Sequence, residues 1–124
     1  MDVKKLKQAI EKLKDDLDGA LVATDIYPTG VGTSLAGFNS NPQATALFDR
    51  VTSYMIKSLD GAGFPGLDKY YLLDLKGSHL VVVIFFEEGY QQGMLIDSTK
   101  ANLGILLNIA IPNAIRLVRE AIEN

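Results

Sequence analysis

The run His79-Leu80-Val81-Val82-Val83-Ile84-Phe85-Phe86 constrains the fold more than any other stretch of this chain. A β-strand points successive side chains to opposite faces, so a strand with one wet face alternates apolar and polar residues. Here there is no alternation. Leu80, Val82, Ile84 and Phe86 fill one face, and Val81, Val83 and Phe85 fill the other. Both faces need covering, so the run reads as a central strand with layers above and below. A buried helix would need a longer run, and Gly77-Ser78 and Glu87-Glu88-Gly89 bracket this one as turns do.

The rest of the chain supplies candidate layers. Residues 2 to 17 form an amphipathic helical pattern, with Val3, Leu6, Ile10, Leu13 and Leu17 on one stripe and Gly19 as a stop. Residues 20 to 26 read as a first strand, broken by Tyr27-Pro28-Thr29-Gly30. Residues 32 to 38 read as a weaker second strand at a sheet edge. Asn41-Pro42 opens a second helix, Asn41 as cap and Pro42 at the first helical position. Its apolar face is Ala44, Leu47, Phe48, Val51, Met55 and Leu59, with Tyr54 at the margin, and Gly61 ends it.

A third strand spans Lys69 to Lys76, and Gly77-Ser78 suits a two-residue hairpin turn into the central strand. Tyr90 to Ile96 is the fifth strand, so the last three strands make an antiparallel meander with 79–86 in its middle. Residues 101 to 123 read as helical. Leu103, Leu107, Ala110, Ala114, Leu117 and Ala121 form a stripe, flanked by Ile111, Ile115, Val118 and Ile122. Pro112 cannot donate to residue 108, so it kinks or divides this helix, and the residues alone leave the choice open. The order is αββαβββα, an α+β class in one domain over 1–124, with the first and last helices on one sheet face and the middle helix on the other. One helix covers less sheet than two, so the second face is incomplete in a single copy.

Composition narrows the function. The 124 residues contain no cysteine, which excludes disulfides, thiolate metal sites and cysteine nucleophiles. A net charge of −3 argues against a nucleic-acid partner. No apolar run approaches the roughly 20 residues of a membrane span. The N-terminal pattern is charged and lacks the apolar core of a signal peptide, so a cytoplasmic protein without membrane insertion is expected.

No catalytic, metal or cofactor constellation stands out. His79 is the single histidine, sits at a turn, and reads as a turn residue. Asp15, Asp16 and Asp18 lack calcium-loop spacing. Gly30-Val31-Gly32 is followed by a strand rather than the helix that a dinucleotide site needs, and no Gly-x-x-x-x-Gly-Lys-Ser/Thr loop occurs. Arg50, Arg116 and Arg119 all lie on predicted helices, none on a glycine-rich loop. A chain that is not an enzyme and binds no cofactor is the expectation.

Several segments together resemble the roadblock/dynein light chain family, related to the longin and profilin-like folds. They are Gly19-Ala20-Leu21-Val22-Ala23-Thr24-Asp25 after an amphipathic helix, the return strand from Gly32 to Phe38, and Leu80-Val81-Val82-Val83 before Gly89. Met94-Leu95-Ile96-Asp97 and then Asn102-Leu103-Gly104 continue it, so the resemblance spans essentially the whole chain. Pro112 and the Tyr27–Gly30 turn depart from the family pattern.

The resemblance implies a five-stranded antiparallel sheet in the order 2-1-5-4-3. It implies homodimers in which third strands and middle helices pair across a two-fold axis. That fits an apolar third strand at a sheet edge, the kind that invites another strand. The interface residues would be Tyr54, Lys69, Tyr70, Tyr71, Leu72 and Leu73. The resemblance further implies a noncatalytic regulator or adaptor of Ras-like small GTPases, acting by scaffolding or by stimulating hydrolysis as bacterial members do without inserting an arginine. Asp49, Arg50, Ser53, Ile56 and Lys57, placed outward on the middle helix by a helical wheel, would meet the GTPase. The alternative is a small-molecule-sensing module of profilin- or PAS-like form, which needs an internal pocket.

Overall fold

The computed structural model describes residues 1–123. Helix α1 spans Val3–Leu17, followed by strands β1 at Leu21–Pro28 and β2 at Ala36–Phe38. Helix α2 is Pro42–Gly61, and strands β3, β4 and β5 are Tyr70–Leu75, His79–Phe86 and Tyr90–Asp97. A last helical stretch comprises a short turn α3 at Leu103–Ile105, a π-helical turn at Leu106–Ala110, and helix α4 at Ile111–Glu123. The strands form an antiparallel five-stranded sheet in the order β2-β1-β5-β4-β3. The run that organises the sequence is therefore one strand in from the β3 edge, paired on both sides.

Sequence chemistry explains the boundaries. Asp2 caps α1, its carboxylate accepting from the Lys5 amide at 3.2 Å, and Asp18 and Gly19 leave the helix with positive φ. Asn41 caps α2 by accepting from the Gln43 and Ala44 amides, with Pro42 leading the helix. Leu75 pairs with His79, so the β3–β4 turn has three residues, not two. Gly77 and Ser78 both take positive φ there.

Two boundaries near β1 differ from expectation. Strand β1 runs through Tyr27 to Pro28, which pairs with Tyr90, because proline closes the strand where no further ladder donor is required. The second strand keeps only Ala36–Phe38, with the Leu35 amide still donating to the Ile26 carbonyl, since residues 32–34 turn to other groups: the Gly32 carbonyl accepts from Thr45 Oγ1, and Ser34 donates to Asp25.

One face of the sheet carries a closed core. Leu6, Ala9, Ile10, Leu13 and Leu17 of α1 and Leu106, Ala110, Ile111, Ala114, Val118 and Ala121 of the last helical stretch bury against it. Leu80, Val82, Ile84, Phe86, Met94 and Ile96 meet them from the sheet. Val3, which the spacing puts on this stripe, is exposed at the helix start. The Asp2 amide donates to the Ala121 carbonyl and Asn113 Nδ2 donates to Asp16, tying the two helices antiparallel at both ends.

Pro112 sits in the first turn of α4, directly after the π turn. The chain absorbs it in the preceding π turn, where the Ile111 amide reaches back to the Leu106 carbonyl. The wider turn rotates the helix face. Leu106 points inward, while Leu103 and Leu107, expected on the buried stripe, are exposed along with Ile105 and Ile109.

Candidate partner surface

Helix α2 lies over the opposite face, above the side chains of Tyr27, Val81, Gln91 and Leu95. Its fit is of another kind. The α2 residues that bury fully are two threonines, Thr45 and Thr52, not the apolar stripe. Phe48, Val51, Met55 and Leu59 are half-buried, and Leu47 is 45% exposed. An apolar helix face left half-covered is the incomplete layer the sequence predicts.

Polar side chains fix α2 in place instead. Thr45 Oγ1 lies 2.7 Å from the Gly32 carbonyl, and Thr52 shares a 2.8 Å hydrogen bond with the Tyr71 hydroxyl on β3. Asp49 accepts from the Gly30 amide at 3.0 Å and from Gln91 Nε2 at 3.2 Å, while the Tyr27 hydroxyl donates to Gln91 Oε1. At the start of α2, the buried Asp25 carboxylate accepts from Ser34, Ser40 and the Asn41 amide. Gly37 is required there, because any Cβ would overlap Ser40 Oγ and Asp25 Oδ1. Burial pushes the Tyr27 phenol far above its ordinary value, with the nearby Tyr71, Asp49 and Asp25 adding to it. Burial also raises Tyr71, against the opposing hydrogen bond from Thr52.

The surface-facing candidates separate on this frame. Arg50, Ser53 and Lys57 are exposed on α2, and Tyr54 is 74% exposed. Ile56 is half-buried. Asp49 does not face outward: its carboxylate turns to the loop after β1 and to β5, where it bonds Gly30 and Gln91. On β3, Tyr71 and Leu73 alternate toward α2, and Leu72 packs against the core beneath α4. Tyr70 is exposed. Lys69 lies just outside the strand, its carbonyl accepting from the Phe85 amide. Because β3 pairs only with β4, its other backbone edge is open within the chain.

Sequence reasoning missed Leu75 and Phe64 as exposed apolar residues, and Thr52 as the buried anchor of α2 to Tyr71. Leu75, on the same strand face as Tyr71 and Leu73, is 42% exposed, and Phe64 is 66% exposed. The available signal was a phenylalanine inside the glycine- and proline-rich loop 61–66, where no core explains it. Gln91 and Gln92 of β5 are both fully buried, which nothing in the strand pattern signals.

Among the described residues no three His, Asp or Glu side chains gather to hold a metal. None of their helices is long and apolar enough to cross a membrane.

This sheet order, with two helices on one face and one on the other, is the roadblock/LC7 fold. The chain is similar in structure to MglB of Myxococcus xanthus, with a TM-score of 0.84 at 10% identity over 99% of this chain and 91% of that one. The gliding protein MglB of Thermus thermophilus matches with a TM-score of 0.75 at 16% identity, over 97% of this chain and 93% of its own. A Roadblock/LC7 domain from Streptomyces avermitilis matches with a TM-score of 0.69 at 14% identity, over 95% and 98%. No family model matches the sequence, and no curated protein matches it. At such identities the shared property is the fold.

Proposed function

We propose that this chain is a homodimeric, noncatalytic regulator or adaptor of a Ras-like small GTPase in the cytoplasm. The observation that carries the reading is the unfinished side of the molecule. Strand β3 presents an open backbone edge with Tyr70 exposed, beside a helix whose apolar face is half-covered and whose Leu47 and Tyr54 reach solvent. A second copy would add its β3 across that edge and its α2 beside this one, covering both. Tyr54, Lys69, Tyr70, Tyr71, Leu72 and Leu73 are the proposed dimer residues, Leu72 through its backbone since its side chain serves the core.

The GTPase part of the reading is supported by the family resemblance of the sequence and by the fold shared with MglB of Myxococcus xanthus and the gliding protein MglB of Thermus thermophilus. The paired α2 helices would offer Arg50, Ser53, Ile56 and Lys57 to the GTPase. Asp49 would position that surface by anchoring the loop after β1 to α2. Arg116 and Arg119 are paired with Glu120 and Glu88 on the far face, so Arg50 is the arginine available on this side.

A pull-down with small GTPases of the same cell, loaded with GDP or a GTP analogue, tests the reading. Retention in one nucleotide state, reduced at least about tenfold by the double variant Arg50→Glu, Lys57→Glu, is the expected result. Retention in neither state would sink it.

A further inference from the structure

We propose that the cavity between α2 and the sheet is a binding site for a small, uncharged, apolar ligand, the size of one aromatic ring or a short alkyl chain. This goes beyond the regulator reading and does not rest on it. The cavity has a volume of about 180 Å³, and Ala23, Ala44, Phe48, Val81, Gly93 and Leu95 are prominent in its lining. The space is partly open to solvent where the exposed Asn41 and Leu75 line it, so it is a cleft between helix and sheet and not a sealed void. An apolar cavity of roughly 150 Å³ is known to stay dry and to admit benzene.

Small residues create the space. Gly93 lies in a strand without positive φ, and a Cβ there would rest 3.8 Å from the Tyr27 hydroxyl in ordinary contact. Neither backbone conformation nor a clash demands glycine at that point, and what it contributes is room. Ala23 and Ala44 have the same effect from β1 and α2.

The polar side chains around the cavity define the ligand, because they are already engaged. Asp25 accepts from Ser34, Ser40 and the Asn41 amide. Thr24 donates to the Gly93 carbonyl and Tyr27 to Gln91, and the Thr45 hydroxyl is held by the Gly32 and Pro42 carbonyls. Among the described residues, the buried side-chain polar atom without a partner is Gln92 Oε1. Gln92 shares the opposite face with Ile26 and Ile84, so it does not reach the cavity. Asn41 Oδ1 accepts from the Gln43 and Ala44 amides, so its Nδ2, at the exposed rim, is the side-chain donor of the lining left unengaged within the described residues, and the apolar interior offers a polar ligand no anchor. Water, which needs two to four polar partners, fits no better. A charged ligand would lose its hydration without compensation.

Methyl-resolved NMR titration of the whole chain with benzene, and in parallel with benzoate, tests the assignment. Saturable shifts at the Ala23, Ala44, Val81 and Leu95 methyls with benzene are expected, and at least about tenfold weaker binding of benzoate. Gly93→Ala and Ala44→Leu should each weaken benzene binding at least about tenfold while leaving the Leu6 and Val82 methyls in place. Shifts that never saturate, equal binding of benzoate, or undiminished binding in both variants would overturn the proposal. So would isotope-filtered contacts from these methyls to a second copy that benzene does not displace, since the occupant would then be the partner's side chain.

Discussion

The two faces of the sheet use the same strands and solve their packing differently. Beneath α1 and α4, apolar side chains interlock and exclude water, and almost nothing polar intervenes. Beneath α2, threonines, an aspartate, a glutamine and two tyrosines set the helix at a distance, and a cavity remains. The first arrangement derives its stability from buried area, which is non-directional. The second derives its geometry from directional hydrogen bonds, which position a helix without sealing it. The first face holds the fold, and the second leaves an apolar helix face half-covered.

The sharpest way to break that contrast is truncation. Phe86 is fully buried in the closed core, so Phe86→Ala should cost about 3–5 kcal/mol in urea denaturation. Phe48 is half-buried at the cavity, and Phe48→Ala should cost less than about half as much. Equal losses would mean that the α2 face is as much a core as the other.

Next in size is the polar frame. Asp49→Ala leaves the exposed Gly30 amide without its protein acceptor and Gln91 Nε2 with Thr29 Oγ1 alone, and should cost about 1 kcal/mol. Hydrogen exchange should show faster exchange at Gly30 and little change in α1. If α1 loosens equally, the two faces are not separable.

Alkaline pH gives a smaller, graded test. Tyr27 and Tyr71 both have raised phenol pKa values because burial disfavours the phenolate. The folded state then holds those protons more tightly than the unfolded chain does. The stability they support is complete below the unfolded tyrosine value of about 10 and declines as pH rises above it. Thermal melts from neutral to strongly alkaline pH should show that decline, and Tyr71→Phe should lessen it. A flat profile would mean these hydroxyls are not buried under α2.

The smallest effect belongs to the closed face. Gln92 Nε2 donates to Thr24 Oγ1 while its Oε1 is buried without a partner, so Gln92→Leu trades one hydrogen bond for one relieved orphan and should change stability by less than about 1 kcal/mol. A marked loss of stability would show that the glutamine is satisfied and that the core is less purely apolar than described.

The two faces are also unequally legible from sequence. Helix α1 can be read because five apolar residues recur at helical spacing, and β4 because both its faces are apolar. Caps at Asn41 and Gly19 follow from local chemistry, so they survive any tertiary arrangement. The α2 side is readable only as a deficit. The long-range partners of Thr45, Asp49 and Gln91 lie between 13 and 64 residues away in sequence, and no local pattern reveals such pairings. Gln91 looks solvated in a run of Tyr90-Gln91-Gln92-Gly93, and Asp49 looks outward on a helical wheel that ignores the loop at Gly30. The π turn is hidden for a related reason: Pro112 announces a disturbance, but the packing of Leu106 and Ala110 decides its form.

Sedimentation equilibrium of the unmodified chain in the micromolar range addresses the main claim, that one face is complete in a single copy and the other is completed by a second. The account predicts a species of twice the chain mass, weakened by Tyr70→Lys at the open edge of β3. A monomer throughout that range would contradict it.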